Sequence, residues 1–594
     1  MLNYNEEVGG YNMKNSLESN ERKLPSEQYL HMNFYDESAK TASVPNCSEY
    51  EFLLERNKNH MNDVAITFAG KKITYEELHT RIDEYARALY KRGIRSKDVV
   101  AMGIANTPEG IYISYALNKL GAVTSPINFT YNAYQMQRDL EIINPKMYIG
   151  IQDSRKVFKQ ASKGMAIEKL NYSVVQSIDD KKLHFLYNVK QIISGNYSFN
   201  PNESLNYVLH KGKDYSKAVF PKYTPGELSD IMFTGGSSGV HKGVDLTGNG
   251  LNSVIRGLDF VLCLEPGQKF LGNLPQFMAF GKMALHYALC NNLNLELTLK
   301  ALPQDFVDEL LRVHPDGVMG GPVQWETLIN NSKLPANSLN NLVMPITGGE
   351  QLKFGKEGKI NEALEKAGCK STIWNGLGMS EMWAPVSVKR GNINSNETIG
   401  TMIPFTNAKV VDPTTGEELG YNEDGMLHVS GPGMMLGYHN NPEETNNTTY
   451  VDEKGVRWFK TGDICKIKDN GELQYVGRLK RCFVCGCENI YPEEIENLLC
   501  SIPEIREAIV TKIPNDEKQF LPKYHISLYD VQTNLDVLKT KIEKLIKSTL
   551  GEGPLPCDYE FYYEMLPRTA NGKIDPKPFQ EKDLEECKQK TKHI

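Results

Sequence analysis

Ile73-Thr-Tyr-Glu-Glu-Leu-His-Thr-Arg-Ile-Asp-Glu-Tyr-Ala-Arg-Ala-Leu89, followed by Val99-Val-Ala-Met-Gly-Ile104, is the stretch that decides the architecture. Leu78, Ile82, Tyr85, Ala86 and Leu89 recur at helical spacing and form one apolar stripe. Thr74 is a natural N-cap, and Glu77 three positions on predicts a capping box. Gly93 ends the helix, and the apolar run 99–104 reads as a buried strand. A second helix over 112–120 is closed by Gly121. Helices alternating with buried strands need crossover connections, hence a mostly parallel sheet and an α/β fold.

Outward from there the texture changes. Residues 1–45 are rich in Asn, Glu, Ser and Lys without hydrophobic periodicity and read as a flexible extension. Residues 152–225 turn polar and aromatic, an elaboration ahead of a glycine-rich stretch at 234–244. From Gly400 short strands over 409–411, 426–429 and 471–476 alternate with Gly, Asn and Asp turns. After Arg478 a smaller unit begins, with helices over 492–499 and 534–549. The domain reading is a large domain over 46–479 and a small, mobile α+β domain over 480–594. The large domain combines two parallel-sheet-with-helices parts and a β-barrel-like part, so the whole is α/β shading into α+β.

Composition sets the outer limits. A chain of 594 residues with 40% hydrophobic and 24% charged residues is ordinary for a globular protein. Its net charge of −7, without a dense Lys/Arg patch among aromatics, argues against nucleic acid. No stretch approaches the ~20 apolar residues of a transmembrane segment, and the N-terminus lacks a signal-peptide pattern, so a cytoplasmic location is expected. Eleven cysteines fit reduced thiols better than a disulfide framework. Cys482, Cys485 and Cys487 have a spacing that could supply three metal ligands, though no fourth partner stands nearby.

The chemistry starts at Thr234-Gly-Gly-Ser-Ser-Gly-Val-His-Lys-Gly-Val244. Gly235, Gly236 and Gly239 let backbone N–H groups approach an anion closely. Thr234, Ser237 and Ser238 add hydroxyls, and Lys242 adds a cation. An ordinary Gly/Ser turn is the plain alternative. A Walker A loop is excluded, because Gly243 stands where Ser or Thr must follow the lysine.

Six further segments occur in order along the chain: Thr347-Gly-Gly-Glu-Gln-Leu352, Trp374-Asn-Gly-Leu-Gly-Met-Ser-Glu381, Trp458-Phe-Lys-Thr-Gly-Asp463, Gly477-Arg-Leu-Lys480, Gly486-Cys-Glu-Asn-Ile-Tyr-Pro492 and Leu566-Pro-Arg-Thr-Ala-Asn-Gly-Lys573. With the glycine-rich loop they resemble the adenylate-forming superfamily of acyl-CoA synthetases, adenylation domains and beetle luciferases, from about residue 50 to 580. The overall pattern is most similar to an AMP-forming acid–CoA ligase. The resemblance implies activation of a carboxylic acid by ATP to an acyl-adenylate, release of pyrophosphate, and transfer to coenzyme A.

It also implies roles. Thr234, Gly235, Gly236, Ser237, Ser238, Gly239 and Lys242 would hold phosphates; Ser380 would contact the α-phosphate and Glu381 would bind magnesium. Gly349, Glu350, Asn375, Gly376, Leu377, Asp463 and Arg478 would hold adenine and ribose. Lys573 would neutralise charge building between the carboxylate and the α-phosphate, and Lys480 would be the hinge about which the small domain turns. Gly486, Cys487 and Glu488 would serve the CoA side.

Phe277 and Met278 would line the acyl pocket, with Met319, Trp325, Leu377 and Met379 as further wall or core. Amino-acid-activating relatives carry aspartate where Met278 stands, so an apolar aliphatic or aryl acid is expected here. A separate acyl-carrier protein is the alternative acceptor, and a divergent non-catalytic nucleotide binder the alternative class.

Four positions depart from the family pattern: His241 for proline, Leu377 for an aromatic, Cys487 for glycine and Arg481 for an acid. They predict a looser phosphate loop, a lost stacking contact of about 0.5–1.5 kcal/mol, and a thioester half-reaction weaker than the ATP half-reaction.

Overall fold

Two large sheets carry the fold. The computed structural model describes residues 24–234, 241–329, 331–350, 352, 354–391, 393–395, 397–485, 488–515, 517–568 and 574–591. The seven-stranded sheet runs Gly437–Tyr438, Lys242–Thr247, Leu228–Thr234, Val123–Pro126, Val99–Gly103, Met147–Ile151, Glu168–Tyr172. Its last five strands are parallel, and Leu228–Thr234 pairs antiparallel with Lys242–Thr247. The nine-stranded sheet has six parallel strands at its centre: Trp374–Met379, Met344–Gly348, Gly317–Gly320, Lys269–Gly272, Asn294–Leu297 and Val64–Phe68.

The helix Tyr75–Lys91 buries Leu78, Ile82, Tyr85, Ala86 and Leu89, the stripe that the spacing predicts. The Thr74 hydroxyl accepts from Glu77 N–H at 3.2 Å. The Glu77 carboxylate lies 3.9 Å from Arg81, so only half of the capping box forms. The next helix, Pro108–Lys119, starts four residues earlier than expected, because Thr107 caps Gly110 and Pro108 opens the first turn.

The elaboration at 152–225 is built onto the edge of the seven-stranded sheet as strand Glu168–Tyr172 with helices Arg155–Ala161, Lys181–Ile193 and Leu205–Gly212. The barrel-like part is an antiparallel sheet of Asn407–Val411, Gly425–Ser430, Arg457–Ile467 and Thr449–Val451, with Leu473–Arg478 on Arg457–Ile467.

Residues 24–45 differ from the flexible extension expected of them. Tyr35 is buried and its hydroxyl donates to the Met402 carbonyl at 2.9 Å. Ser26 donates through N–H and Oγ to Glu418 at 3.1 and 2.8 Å. At Gly471 a Cβ would lie 2.5 Å from the His31 nitrogen, so only glycine admits the segment. Its anchors (Pro25, His31, Tyr35) follow no periodicity, which is why the pattern does not announce them.

Burial holds the His31 imidazole down at about 4, from an ordinary 6.5. An undocked segment therefore binds the proton first, and docking weakens as pH falls from about 6.5 toward 4, by up to ~3 kcal/mol. Limited proteolysis is expected to release residues 24–45 faster at pH 5 than at pH 7. His31→Phe should flatten that dependence.

The small domain is a sheet of Glu488–Ile490, Phe483–Cys485, Gln519–Leu528 and Ile505–Asn515, with Asp558–Tyr562 parallel to Gln519–Leu528. Helices Pro492–Cys500 and Leu535–Leu550 cover it. It meets the large domain where helix Phe354–Lys366 crosses helix Pro492–Cys500. A Cβ on Gly355 would sit 2.1 Å from the Cys500 carbonyl oxygen, so backbone touches backbone there.

Cys482 is half-buried and Cys485 buried in its strand. Cys487 lies outside the described residues. Among the described residues the one group with metal-ligating geometry is His525, Glu560 and Asp583, not these cysteines. Asp583 already bonds the Lys523 ammonium at 2.6 Å.

Candidate active site

The candidate site lies where the parallel strands of both large sheets end, the usual place for ligands in such folds. Thr234 and Lys242 face each other across the hairpin made by strands Leu228–Thr234 and Lys242–Thr247. They are the two described ends of the glycine-rich loop. Gly235, Gly236, Ser237, Ser238 and Gly239 lie outside the described residues, as do Lys573, Gly486 and Cys487. Glu488 enters only as backbone in strand Glu488–Ile490.

The Lys242 ammonium forms an ion pair with Glu444 and sits 4.7 Å from the centre of the Tyr438 ring. Tyr438 is paired to the same hairpin, opposite Val244. Its hydroxyl donates to Glu381 Oε1 at 2.9 Å. Burial first, and then the Glu381 and Glu444 carboxylates, push the Tyr438 phenol well above its ordinary 10, so it stays a proton donor. Lysine, tyrosine and glutamate from three distant segments thus form one chain. Tyr438 and Glu444 carry no signal in the motif pattern, because they reach the site only through strand Gly437–Tyr438 and helix Pro442–Thr448.

Ser380 and Glu381 stand on a single 3₁₀ turn, Ser380–Met382, after strand Trp374–Met379. The chain then doubles back through Trp383 at φ 58° and Ala384 at φ 82°, left-handed values that non-glycine residues adopt only under restraint. Trp383 supplies it: the ring is fully buried and Nε1 donates to the Thr247 carbonyl at 3.0 Å. Gly378 is required beside it, since a Cβ there would lie 2.6 Å from the Ala384 oxygen.

Asp463 is buried on strand Arg457–Ile467 and faces Arg478 of the neighbouring strand, with Arg478 Nε 2.8 Å from Asp463 Oδ1. Gly462 at φ 73° makes the turn before it. Burial pulls the Arg478 guanidinium down, but Asp463 foremost, and then Tyr475, Glu493 and Glu381, outweigh it and hold it raised. The influence of Glu381 places the two motif groups in one electrostatic neighbourhood.

Asn375 and Gly376 pair with Thr347 and Gly348 across the parallel strands, which brings the second and third motifs side by side. Thr347 Oγ1 is buried without a hydrogen-bond partner among the described residues, a polar group beside Gly349 and Glu350 with capacity to spare. Leu377 follows on the same strand, half-buried and opposite Ser387.

Phe277 and Met278 lie between strand Lys269–Gly272 and helix Ala279–Cys290. Phe277 meets Phe129 edge-on at 6.1 Å, and Met278 is exposed. Phe280, to which the motif reading gives no role, packs on the end of strand Met344–Gly348: a Cβ on Gly348 would be 3.3 Å from its ring. Of the further wall candidates, Trp325 is core, fully buried with Nε1 donating to the Ile346 carbonyl at 2.9 Å. Met319 is buried too, while Leu377 and Met379 are only partly covered.

One buried ion cluster ties these parts together. Lys282, four residues after Met278, pairs with Asp230, four before Thr234, and lies 3.2 Å from Glu49. Burial and the Asp230 charge push the Glu49 carboxyl up to about 8. The strand that leads into the glycine-rich loop is thereby bonded to the helix that follows Phe277 and Met278.

His241, where the family pattern has proline, packs against Tyr131 and Phe233 with ring centres at 5.9 and 6.4 Å. Its Nδ1 lies 3.5 Å from the buried Asp139. The looser loop expected of it falls on residues 235–240, outside the described residues.

Lys480 is exposed in the turn Leu479–Arg481 between the domains. Its neighbour Arg481 bonds Glu493 at 3.0 Å and Glu496 at 2.6 Å, both buried on helix Pro492–Cys500. The residue that departs from the family's acid thus neutralises two acids of its own domain. Arg481→Ala is expected to lower small-domain stability by about 3 kcal/mol, since it strands two buried carboxylates. Thermal unfolding followed in that domain would check this.

The family profile described as AMP-binding enzyme matches residues 53–439. A long-chain-fatty-acid–CoA ligase of Bacillus subtilis is 25% identical over 542 residues, covering 89% of this chain and 94% of its own. Luciferin 4-monooxygenase of Photuris pensylvanica is 25% identical, covering 89% of this chain and 93% of its own. Among solved structures, ATP-bound MatB from Rhodopseudomonas palustris superposes with TM-score 0.76 at 22% identity, over 91% of this chain and 100% of its own.

Proposed function

The chain belongs to the AMP-binding enzyme family, and from that premise we propose that it activates an apolar carboxylic acid with ATP as an acyl-adenylate and transfers the acyl group to coenzyme A. The observation that carries this reading is the Lys242–Tyr438–Glu381 chain beside the Asp463–Arg478 pair. Cation, acid and ribose-binding carboxylate converge from segments spread over more than two hundred residues of sequence.

Both reactants are anions, so the work is positioning and charge neutralisation. The loop from Thr234 to Lys242 takes the phosphates, and Ser380 the α-phosphate. Asp463 accepts from the ribose hydroxyls while Arg478 steadies the same sugar, with adenine over Gly349, Glu350, Asn375, Gly376 and Leu377. Glu381 fits magnesium: a single carboxylate beside a phosphate loop is the donor set this ion takes when phosphate oxygens and water complete it. Bound there, the ion would offset phosphate charge. Lys573 would meet the charge that builds as the carboxylate attacks the α-phosphorus.

Lys480 is the hinge for exchanging that lysine for the segment at Gly486, Cys487 and Glu488. Phe277, Met278 and Phe280 line the acyl side. Nothing charged stands at Met278 to pair a substrate ammonium, which favours an aliphatic or aryl acid over an amino acid.

ATP–pyrophosphate exchange with a panel of aliphatic, aryl and amino acids tests the reading, followed by thioester formation with coenzyme A. Exchange is expected with apolar acids and absent with α-amino acids. No exchange with any acid would leave a nucleotide-binding protein without this activity. Exchange with transfer only to a carrier protein would replace the acceptor, and exchange undiminished in Lys573→Ala would remove that residue from the mechanism.

A further inference from the structure

The helix Lys181–Ile193 is mounted the wrong way round for a surface helix. Its polar and aromatic side is pinned to the fold: Gln191 donates to Asp153 at 3.0 Å, the Tyr187 hydroxyl bonds the same carboxylate, and both residues are buried. The opposite face points outward, with Phe185 66%, Leu186 53%, Ile192 48% and Ile193 82% exposed. Phe185 and Ile192, and likewise Leu186 and Ile193, are seven apart, two helical turns, so the four share one apolar face. Phe199, just beyond the helix, is 81% exposed as well. Surface helices ordinarily turn such a stripe to the core, and a contiguous exposed one marks an interaction.

Charge selects the occupant. Residues 152–225 contain twelve Lys and Arg against six Asp and Glu, in a chain whose net charge is −7. Lys181 and Lys182 are exposed at the start of the helix, and Lys190 near its end is 72% exposed. Of the acids at that start, Asp180 caps the helix through Lys182 and Leu183 N–H, and Asp179 lies 3.5 Å from Lys71. Lys156 and Lys159 are exposed on helix Arg155–Ala161, whose Lys156 N–H donates to Asn196, three residues past the end of this helix, at 3.0 Å. A second copy docked symmetrically would set these lysines against each other.

We infer that this face rests on an anionic phospholipid surface, the apolar stripe at the headgroup boundary and the lysines on the lipid phosphates. The inference stands on this helix alone and does not depend on the reaction proposed above.

Flotation of the full chain with vesicles tests it. Phosphatidylcholine vesicles with about one part in three of phosphatidylglycerol are expected to bind at least ~tenfold better than phosphatidylcholine alone, and less well in high salt. Phe185→Asp/Ile193→Asp should abolish binding while leaving the melting temperature unchanged, and Lys181→Glu/Lys182→Glu should weaken it roughly fivefold per lysine or more. Wild-type protein that stays unbound with both vesicles overturns the inference. So does binding indifferent to these variants, or a solution dimer that Ile193→Asp dissolves, which would make the occupant a second copy.

Discussion

Glu381→Gln is expected to cut kcat/KM for ATP about 10²- to 10³-fold in adenylate formation, the scale of losing one preorganised electrostatic group. The substitution keeps shape and an oxygen able to accept from Tyr438, now at 2.9 Å, so the turn Ser380–Met382 should hold. Only the charge is removed. Tyr438→Phe provides the contrast: it deletes the hydroxyl but keeps the ring 4.7 Å from Lys242, and a loss of about tenfold or less is expected, the scale of one ordinary net hydrogen bond. If Glu381→Gln stays within twofold of wild type, the carboxylate is structural. Equal losses in the two variants would instead mean that the link between turn and hairpin matters, and not the charge.

Asp463→Ala is expected to raise KM for ATP roughly 10²-fold, since two hydrogen bonds to a buried carboxylate are worth about 3 kcal/mol together. Part of that loss comes from Arg478, whose Nε stands 2.8 Å from Asp463 and whose raised state rests first among its charged neighbours on that partner. A merely structural loss would weaken all nucleotides alike. The wild type should therefore prefer ATP to 2′-deoxy-ATP, and Asp463→Ala should erase the preference. A preference retained in full would take Asp463 away from the ribose.

How far the sequence reached can be seen at particular residues. The stripe Leu78, Ile82, Tyr85, Ala86, Leu89 is buried as its spacing demands, because a helical period is written locally. The pairing of Thr347 with Asn375 brings two motifs into one floor that only their order had suggested. Other parts left no local trace. Tyr438 and Glu444 are ordinary residues until a two-residue strand and the helix after it lay them against the hairpin that carries Lys242. Arg481 reads as a departure until it meets Glu493 and Glu496. Residues 24–45 lack periodicity because a segment lying on another surface needs only a few anchors.

The linear chain alone carries the α/β class, the order of the motifs and the residue types able to perform phosphate and ribose chemistry. These are properties of neighbours along the chain: hydrophobic period, caps, and glycines where the backbone must turn. Folding in three dimensions selects which of them share a site. It sets Glu381 against Tyr438, buries Lys282 between Asp230 and Glu49, and turns the apolar face of Lys181–Ile193 outward. Each depends on contacts between residues far apart in the chain, whose free energy arises from mutual burial and charge pairing.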